Sequence, residues 1–414
     1  MTKKTLILGM LLMLVSVITI CSAFAAPVTL TVSTNVVGQQ AKVLQDIAEK
    51  FQKENPDIKI DFSALGGAYE NAMKVKMASN DLPDVFSTHG WAKVRYGNYL
   101  LDLRKEPWVK KIAAPMKPLV TDEKGKVYVL PMDQDMGTFT FSADIFKEYG
   151  VQAPNTMDEL MAVCETIKTK SNGKVTPIHL GASDQWPMGQ YYDMFGVSVF
   201  LSPKKNDAKA LLSGTVDWKK YDILSAKLLE MQKKGYLNVD ATTAKYTDSA
   251  KALAEGKAAI TFQGAYIIDE AKKTNPNFHG GIMPVPAVVA GDAPNFSGGE
   301  RTTWGIWKDS KNIAAAKKFL AFSARPENVK AVAESNNMPA GLSGVKADVG
   351  ELTPYYEKYS KIRIFPYFDR VYLPSGMWDV MCLTGQELLA GTMTPRQVSE
   401  KMESEYKRLR AAQK

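Results

Sequence analysis

Histidine and cysteine are nearly missing from this chain, at three residues each in 414. His89, His179 and His279 stand alone, with no HExxH pair and no carboxylate spacing suited to zinc. A GxSxG elbow, a Walker loop and a GxGxxG turn are absent too, so serine-hydrolase, P-loop and dinucleotide chemistry have no support. No cofactor and no metal is expected. Glycoside hydrolysis needs only two carboxylates about 5 to 10 Å apart. Asp133 with Glu300 is the candidate pair, which keeps a periplasmic polysaccharide-active enzyme open as an alternative to a binding protein. No internal repeat or low-complexity segment is present, and only one apolar run is long.

That run, Leu6 to Ile20, follows Lys3 and Lys4 and precedes Cys21-Ser22-Ala23-Phe24-Ala25. A charged start, an apolar middle and an A-x-A site make residues 1–25 a cleavable signal peptide, and export to the periplasm is expected. Cleavage after Ala26 would place Pro27 at the scissile bond, so Ala25 is the expected site. A membrane anchor would want about 20 apolar residues. Cys21 follows the large Ile20, which disfavours lipid anchoring. Losing two lysines and no acid takes the formal charge from +8 to +6. Lysine pairs such as Lys110-Lys111 and Lys272-Lys273 are scattered, so no basic block invites nucleic acid. Cys164, on the stripe Leu160, Val163, Cys164, Ile167, and Cys382 read as buried free thiols.

A 45% hydrophobic share predicts a packed body. The length predicts about two or three domains. Strand Val28–Ser33, helix Gln40–Asn55, strand Ile58–Phe62, helix Tyr69–Ser79 and strand Asp84–Phe86 alternate as in a parallel sheet flanked by helices. Right-handed crossovers put the loops after the strands on one edge, which brings Asn35, Gln39, Thr88 and Trp91 together. Val127–Leu130 reads as a central strand broken by Pro131, with extended structure resuming at Thr138–Phe141. Asp133 and Asp135 lie in that break, either accepting hydroxyl donors in a cleft or turning in solvent.

Thr156 and Glu159 have capping-box spacing, Trp186 sits in a predicted loop Gly181–Gly189, and a long helix is expected over Trp218–Lys234. Leu253–Tyr266 predicts a helix ending at Gly256, a strand Ala258–Phe262 and a tight turn through Gly264. Gln263 and Tyr266 then stand at a strand's carboxyl end, where Tyr266 either caps a core or offers a flat face to a ligand. Gly298-Gly299 beside Glu300, Arg301 and Trp304 marks a second break, before a strand reaching Trp307, and Asn337–Gly341 a third.

LPDVF at Leu82–Phe86, GKVYVLP with FSADIFKEYGVQAPNTMDEL, EGKAAITFQGAY, SKNIAAAKKFLAF and LLAGTMTPRQV follow one another in this order. Together they resemble the family 1 extracellular solute-binding proteins of bacterial carbohydrate ABC transporters, over essentially the whole mature chain. The family usually has Tyr-Asn where Phe141-Ser142 stand, and many members have Trp in place of Tyr266 and Met157. The resemblance implies an α/β, two-lobe periplasmic-binding-protein-like fold, each lobe a mainly parallel sheet flanked by helices and joined by a hinge. The lobes would be 26–132 with 302–340 and 133–301 with 341–414. It further implies a monomer, not an enzyme, that closes on a mono- or oligosaccharide and delivers it to a membrane permease. A protein presenting its ligand to a chemoreceptor would look the same. Trp91, Trp186, Tyr266 and Trp378 match the family's sugar-stacking positions. A pyranose lays its C–H face on an aromatic ring and turns its hydroxyls to paired donors and acceptors. Asp133, Gln263, Glu300 and Arg301 would supply that fringe, with Asp135 and Gly299 beside them. Arg301 either meets an acidic sugar or pairs with Glu300, and a neutral sugar is the preferred expectation.

Overall fold

Alternating apolar residues in the first segment form β1 (Val28–Thr34), which pairs in parallel with β2 (Ile58–Ala64) along its whole length, in a computed structural model describing residues 27–202 and 205–412. The helix Gly38–Glu54 between them buries Ala41, Leu44, Ile47, Ala48 and Phe51, spaced three and four apart on one face. Further strands, in chain order, are β3 (Val85–Phe86), β4 (Leu130–Pro131), β5 (Asp135–Gly137), β6 (Phe139–Ser142) and β7 (Thr176–Ile178). After them come β8 (Leu201–Ser202), β9 (Lys205–Asn206), β10 (Ala258–Thr261), β11 (Gly280–Met283), β12 (Phe296–Gly299), β13 (Thr303–Ile306) and β14 (Ile364–Pro366).

Two lobes result. One holds the sheet β2-β1-β3-β13-β4 and a core running from Leu30 to Met132 and again from Trp304 to Leu342. The other holds β11-β6-β10-β7, with a core from Phe139 to Val285 and from Phe368 to Tyr406. The expected α/β two-lobe architecture is present, but the sheets are mixed rather than mainly parallel. β13 runs antiparallel to β3 and β4, and β6 antiparallel to β10 and β11, because chain returning through the hinge enters each sheet from its opposite end.

Several elements differ from the sequence reading. Val127–Leu130 shrinks to β4, an edge strand rather than a central one, where Pro131 costs no sheet hydrogen bond. Trp186 opens the helix Trp186–Phe200, since Pro187 suits a first helical turn, and Tyr266 likewise opens the helix Tyr266–Thr274. The strand expected through Trp307 is confined to β13, and the helix from Trp218 begins as a 3-10 turn. Thr156 Oγ accepts from the Glu159 N–H at 3.2 Å, whereas the Glu159 carboxylate takes the Asn155 N–H at 2.6 Å, one residue off the capping box. Cys164 and Cys382 are free and buried. The signal peptide and Cys21 lie outside the described residues, among which no helix is long and apolar enough to cross a membrane.

Three segments lie side by side where the lobes meet: Met132–Met136, β12 to Thr303, and Met338–Leu342. Backbone bonds bind the crossings side by side, from Met132 N–H to Thr302 O (2.9 Å), Gln134 N–H to Pro339 O (2.9 Å) and Gly341 N–H to Met132 O (3.1 Å). A Cβ at Gly341 would overlap the Pro131 carbonyl, so only glycine lets the first and third crossings approach this closely. In the second core, the Phe262 ring lies 4.8 Å from Phe139, 5.3 Å from Tyr191 and 5.8 Å from Phe195. Phe262→Ala leaves a cavity among these rings and should cost about 3 to 5 kcal/mol of unfolding free energy, read by urea denaturation.

Candidate ligand-binding cleft

Loops after β1, β2 and β3 leave their sheet at one edge and bring Asn35, Val37, Gly66, Gly67, Glu70, His89 and Trp91 to one wall of a cleft of about 620 Å³. This is the carboxyl edge where ligands of open α/β sheets gather. The facing wall carries Trp186, Gln190, Asp193 and Met194 from one helix, with Tyr246, Tyr266 and Trp378. Asp135, Met136 and Gly137 of β5 lie between, with Arg301, Tyr367 and Arg370.

The facing wall is an aromatic shelf. Trp186 stands 5.4 Å from Tyr246 and 6.3 Å from Tyr266, and the Tyr266 hydroxyl donates to Gln190 Oε1 at 3.1 Å. Burial pushes the Tyr266 hydroxyl well above its ordinary value, so it remains a proton donor. Trp91 is different. The Arg95 guanidinium lies 3.8 Å from its ring centre, that of Arg370 lies 4.7 Å away, and His89 meets it edge-on at 5.5 Å. With its indole engaged by two cations, Trp91 acts as a seat for arginines rather than an open stacking face.

Arginines in the cleft stand beside carboxylates. Glu70 pairs with Arg95 and with His89 Nδ1 (2.9 Å); burial works against its charge, but His89 and Arg95 hold it below the usual carboxylate value. Burial and then Arg370 push His89 down to about 4, so its imidazole is neutral at neutral pH. Asp193 Oδ1 accepts the Asp369 N–H at 2.7 Å, burial and the neighbouring Asp193 raise Asp369, and Arg370 Nε lies 3.7 Å from the Asp369 carboxylate. Burial raises Asp135 as well, opposed by Arg301 and Arg370. Among the described residues no protein group hydrogen-bonds the Asp135 carboxylate, which leaves it to accept from a ligand. Arg95 thus pairs with Glu70 and Arg370 with Asp369, while Arg301 and Arg370 both oppose the effect of burial on Asp135.

Asn35, Trp91, Asp135, Trp186, Tyr266, Arg301 and Trp378 line the cleft as the sequence reading expected, and the other candidates do not. Gln39 is exposed, and its neighbour Gln40 accepts from Arg301 Nη2 at 3.4 Å instead. Thr88 is buried against Glu300 (3.2 Å) and Thr303 (3.0 Å). Asp133 accepts from Asn336 Nδ2 at 2.5 Å inside the hinge. Gln263 is fully buried, and a Cβ on Gly299 would sit 2.6 Å from the Tyr367 ring that covers it. Glu300 Oε1 accepts the Ala92 N–H at 2.7 Å, turning the carboxylate away from the cleft to hold the loop that carries Trp91. Trp304 points into the first core, 5.9 Å from Phe319, because its strand exposes neither face there. The suggested glycosidase pair is therefore committed elsewhere. Glu70, Gln190, Asp193, Tyr246, Tyr367 and Arg370 were not foreseen. Glu70 was within reach of the same loop-edge rule, since it follows the Gly66-Gly67 turn after β2.

A two-lobed protein with an aromatic shelf and a polar floor in its cleft has the features of a solute-binding protein. Residues 37–330 match the family described as bacterial extracellular solute-binding protein, and the chain belongs to that family. It is 41% identical over 391 residues to the melibiose/raffinose/stachyose-binding protein MelE of Bacillus subtilis (strain 168), covering 94% of this chain and 92% of MelE. A sugar transporter protein of Bacillus licheniformis, solved in complex with stachyose, is 46% identical with a TM-score of 0.84, covering 92% of this chain and all (100%) of that one. A putative binding protein of Bacillus subtilis in an open conformation is 40% identical with a TM-score of 0.89, covering 94% and 99%.

Burial raises Glu300 to about 7, against the pull of the Ala92 N–H and Arg370. The folded state therefore keeps a proton that the unfolded chain releases above its ordinary value of 4.5, and this contribution to stability is lost as pH rises from there to about 7. Glu300→Gln, which mimics the protonated side chain, should match the wild type near pH 4 and exceed it at pH 8, by on the order of 2 to 3 kcal/mol in denaturant titrations.

Proposed function

We propose that this protein captures a neutral oligosaccharide of the raffinose type in its cleft, closes its lobes over it and hands it to the permease of an ABC transporter. The carrying observation is Asp135, an acceptor without a protein partner, set between the donors Arg301 and Arg370 and opposite the shelf of Trp186, Tyr246 and Tyr266. Hydroxyls need paired acceptors and donors, and sugar rings need flat apolar faces. A cleft whose arginines already stand beside carboxylates favours a neutral ligand, since an added phosphate or carboxylate would leave an unpaired buried charge. The volume of about 620 Å³ suits several rings. The sugars named for MelE and bound in the Bacillus licheniformis structure support this class.

The same reading takes the protein as a non-enzymatic monomer, exported by cleavage of residues 1–25. Its lobes are 26–132 with 302–340 and 133–301 with 341–414. The seven sequence-derived cleft residues, with Gln190, Asp193, Tyr246 and Arg370, form the ligand site. The better superposition on an open-conformation relative supports an empty, open state that closes on ligand.

Raffinose or stachyose at 100 times its dissociation constant should stabilise the protein by about 2.7 kcal/mol in a thermal-shift screen, whereas uronates and sugar phosphates should give no shift. No shift with any neutral oligosaccharide would end this reading. The double variant Trp186→Ala, Tyr266→Ala should weaken binding by about 100-fold or more, measured by calorimetry. Asp135→Asn, which keeps the volume but weakens the acceptor, should cost about tenfold.

A further inference from the structure

One buried side chain outside the cleft lining joins all three crossings. Asn336 follows the helix Pro326–Ser335, at the entry to the third crossing, and is 1% exposed. Its Nδ2 donates to Asp133 Oδ2 at 2.5 Å in the first crossing and to Thr302 Oγ1 at 3.0 Å in the second. A backbone hinge alone leaves the crossings free to splay where their ladder ends. A side-chain amide with two donors, each spent on a different strand, closes that end. We propose that Asn336 is a positioning residue for sugar capture: by tying the three crossings together it restricts how far the empty lobes open, and so sets affinity without touching the ligand. This rests on the reading that the lobes close on a sugar.

A second feature makes the tie sensitive to a proton. Asp133 Oδ1 and Asn336 Oδ1 are both buried and without a hydrogen-bond partner among the described residues. The Asn336 amide donates more strongly to an ionised Asp133 than to a neutral one, so the tie tightens when Asp133 loses its proton. Burial and the neighbouring Asp135 carboxylate push Asp133 up to about 6, against Arg301, Asn336 and Thr302. The Tyr356 hydroxyl is the remaining ionisable group that senses this carboxylate. Asp133→Asn holds a neutral acceptor there at every pH.

The test uses the full mature protein with raffinose or stachyose, whichever the wild type binds, in calorimetry and in small-angle X-ray scattering of the empty and saturated forms. Asn336→Ala should weaken binding by about tenfold and enlarge the empty protein but not the saturated one, because a smaller fraction of empty molecules is then competent to bind. Thr302→Val, which removes one acceptor at constant shape, should do the same to a lesser degree, about threefold, and serves if Asn336→Ala fails to fold. Asp133→Asn should match wild-type affinity at about pH 5 and bind less tightly at about pH 8, where the wild type has the stronger, charge-assisted bond. A lowered melting temperature with unchanged affinity, unchanged scattering and an unchanged pH profile would make Asn336 a mere packing residue and overturn the proposal. If the wild type binds no neutral oligosaccharide, the functional reading fails by itself, and scattering of empty wild type against empty Asn336→Ala still decides the hinge role.

Discussion

Everything in this molecule hangs on three strands of chain that must run side by side through a narrow waist. Their backbones bond directly, Met132 to Thr302 and Gly341 and Gln134 to Pro339, and this ladder replaces the hydrogen bonds each crossing segment would otherwise leave unpaired on departing its sheet. The approach is possible because a bare glycine stands at position 341. Asp133 and Glu300, the two most conspicuous acids of the crossings, serve this scaffold: one accepts from Asn336, the other holds the backbone of the loop bearing Trp91. Buried carboxylates of this kind are tolerated where fixed donors meet them, and burial raises both above the ordinary carboxylate range.

The cleft divides its labour between lobes. Flat apolar faces come from the second lobe, where Trp186 and Tyr266 each start a helix and so project from its first turn. Ions come from both lobes: Glu70 with Arg95 on the first, and Arg370, which reaches from the second to lie on Trp91 and Tyr367, are held before any ligand arrives. A Cβ on Gly90 would overlap Arg370, so the arginine from the second lobe can lie across the first only over a glycine with φ +91°. Preorganised donors and acceptors lower the ordering cost of binding, which suits a protein that must take a well-hydrated sugar out of water.

Much of the fold was legible in residue order. Strand and helix periods located β1, β2 and the helix Gly38–Glu54 nearly to the residue, because each buries one face against the sheet and repeats at its own spacing. Pro131 ends β4 and Pro339 stands outside any strand, as proline breaks predict, whereas Gly298-Gly299, read as a break, lie within β12 and pair with β5. Cleft residues were legible where they followed a strand on a known edge, as with Asn35 and Trp91, or stood beside a glycine turn, as with Tyr266.

What the chain by itself determined is its class: two α/β lobes with aromatics standing near strand ends. Only the tertiary structure decided which polar residues line the cleft. Asp133 and Asp135 are two residues apart, yet one is drawn into the hinge by Asn336, 203 positions away, while the other is left facing the cleft. Trp304 and Arg301 were candidates on equal terms, and β13 turned one into the core while the crossing left the other beside Tyr266. Period and composition describe a residue's near neighbours, whereas a side chain's task here depends on partners brought in by chain that has passed through the waist and returned.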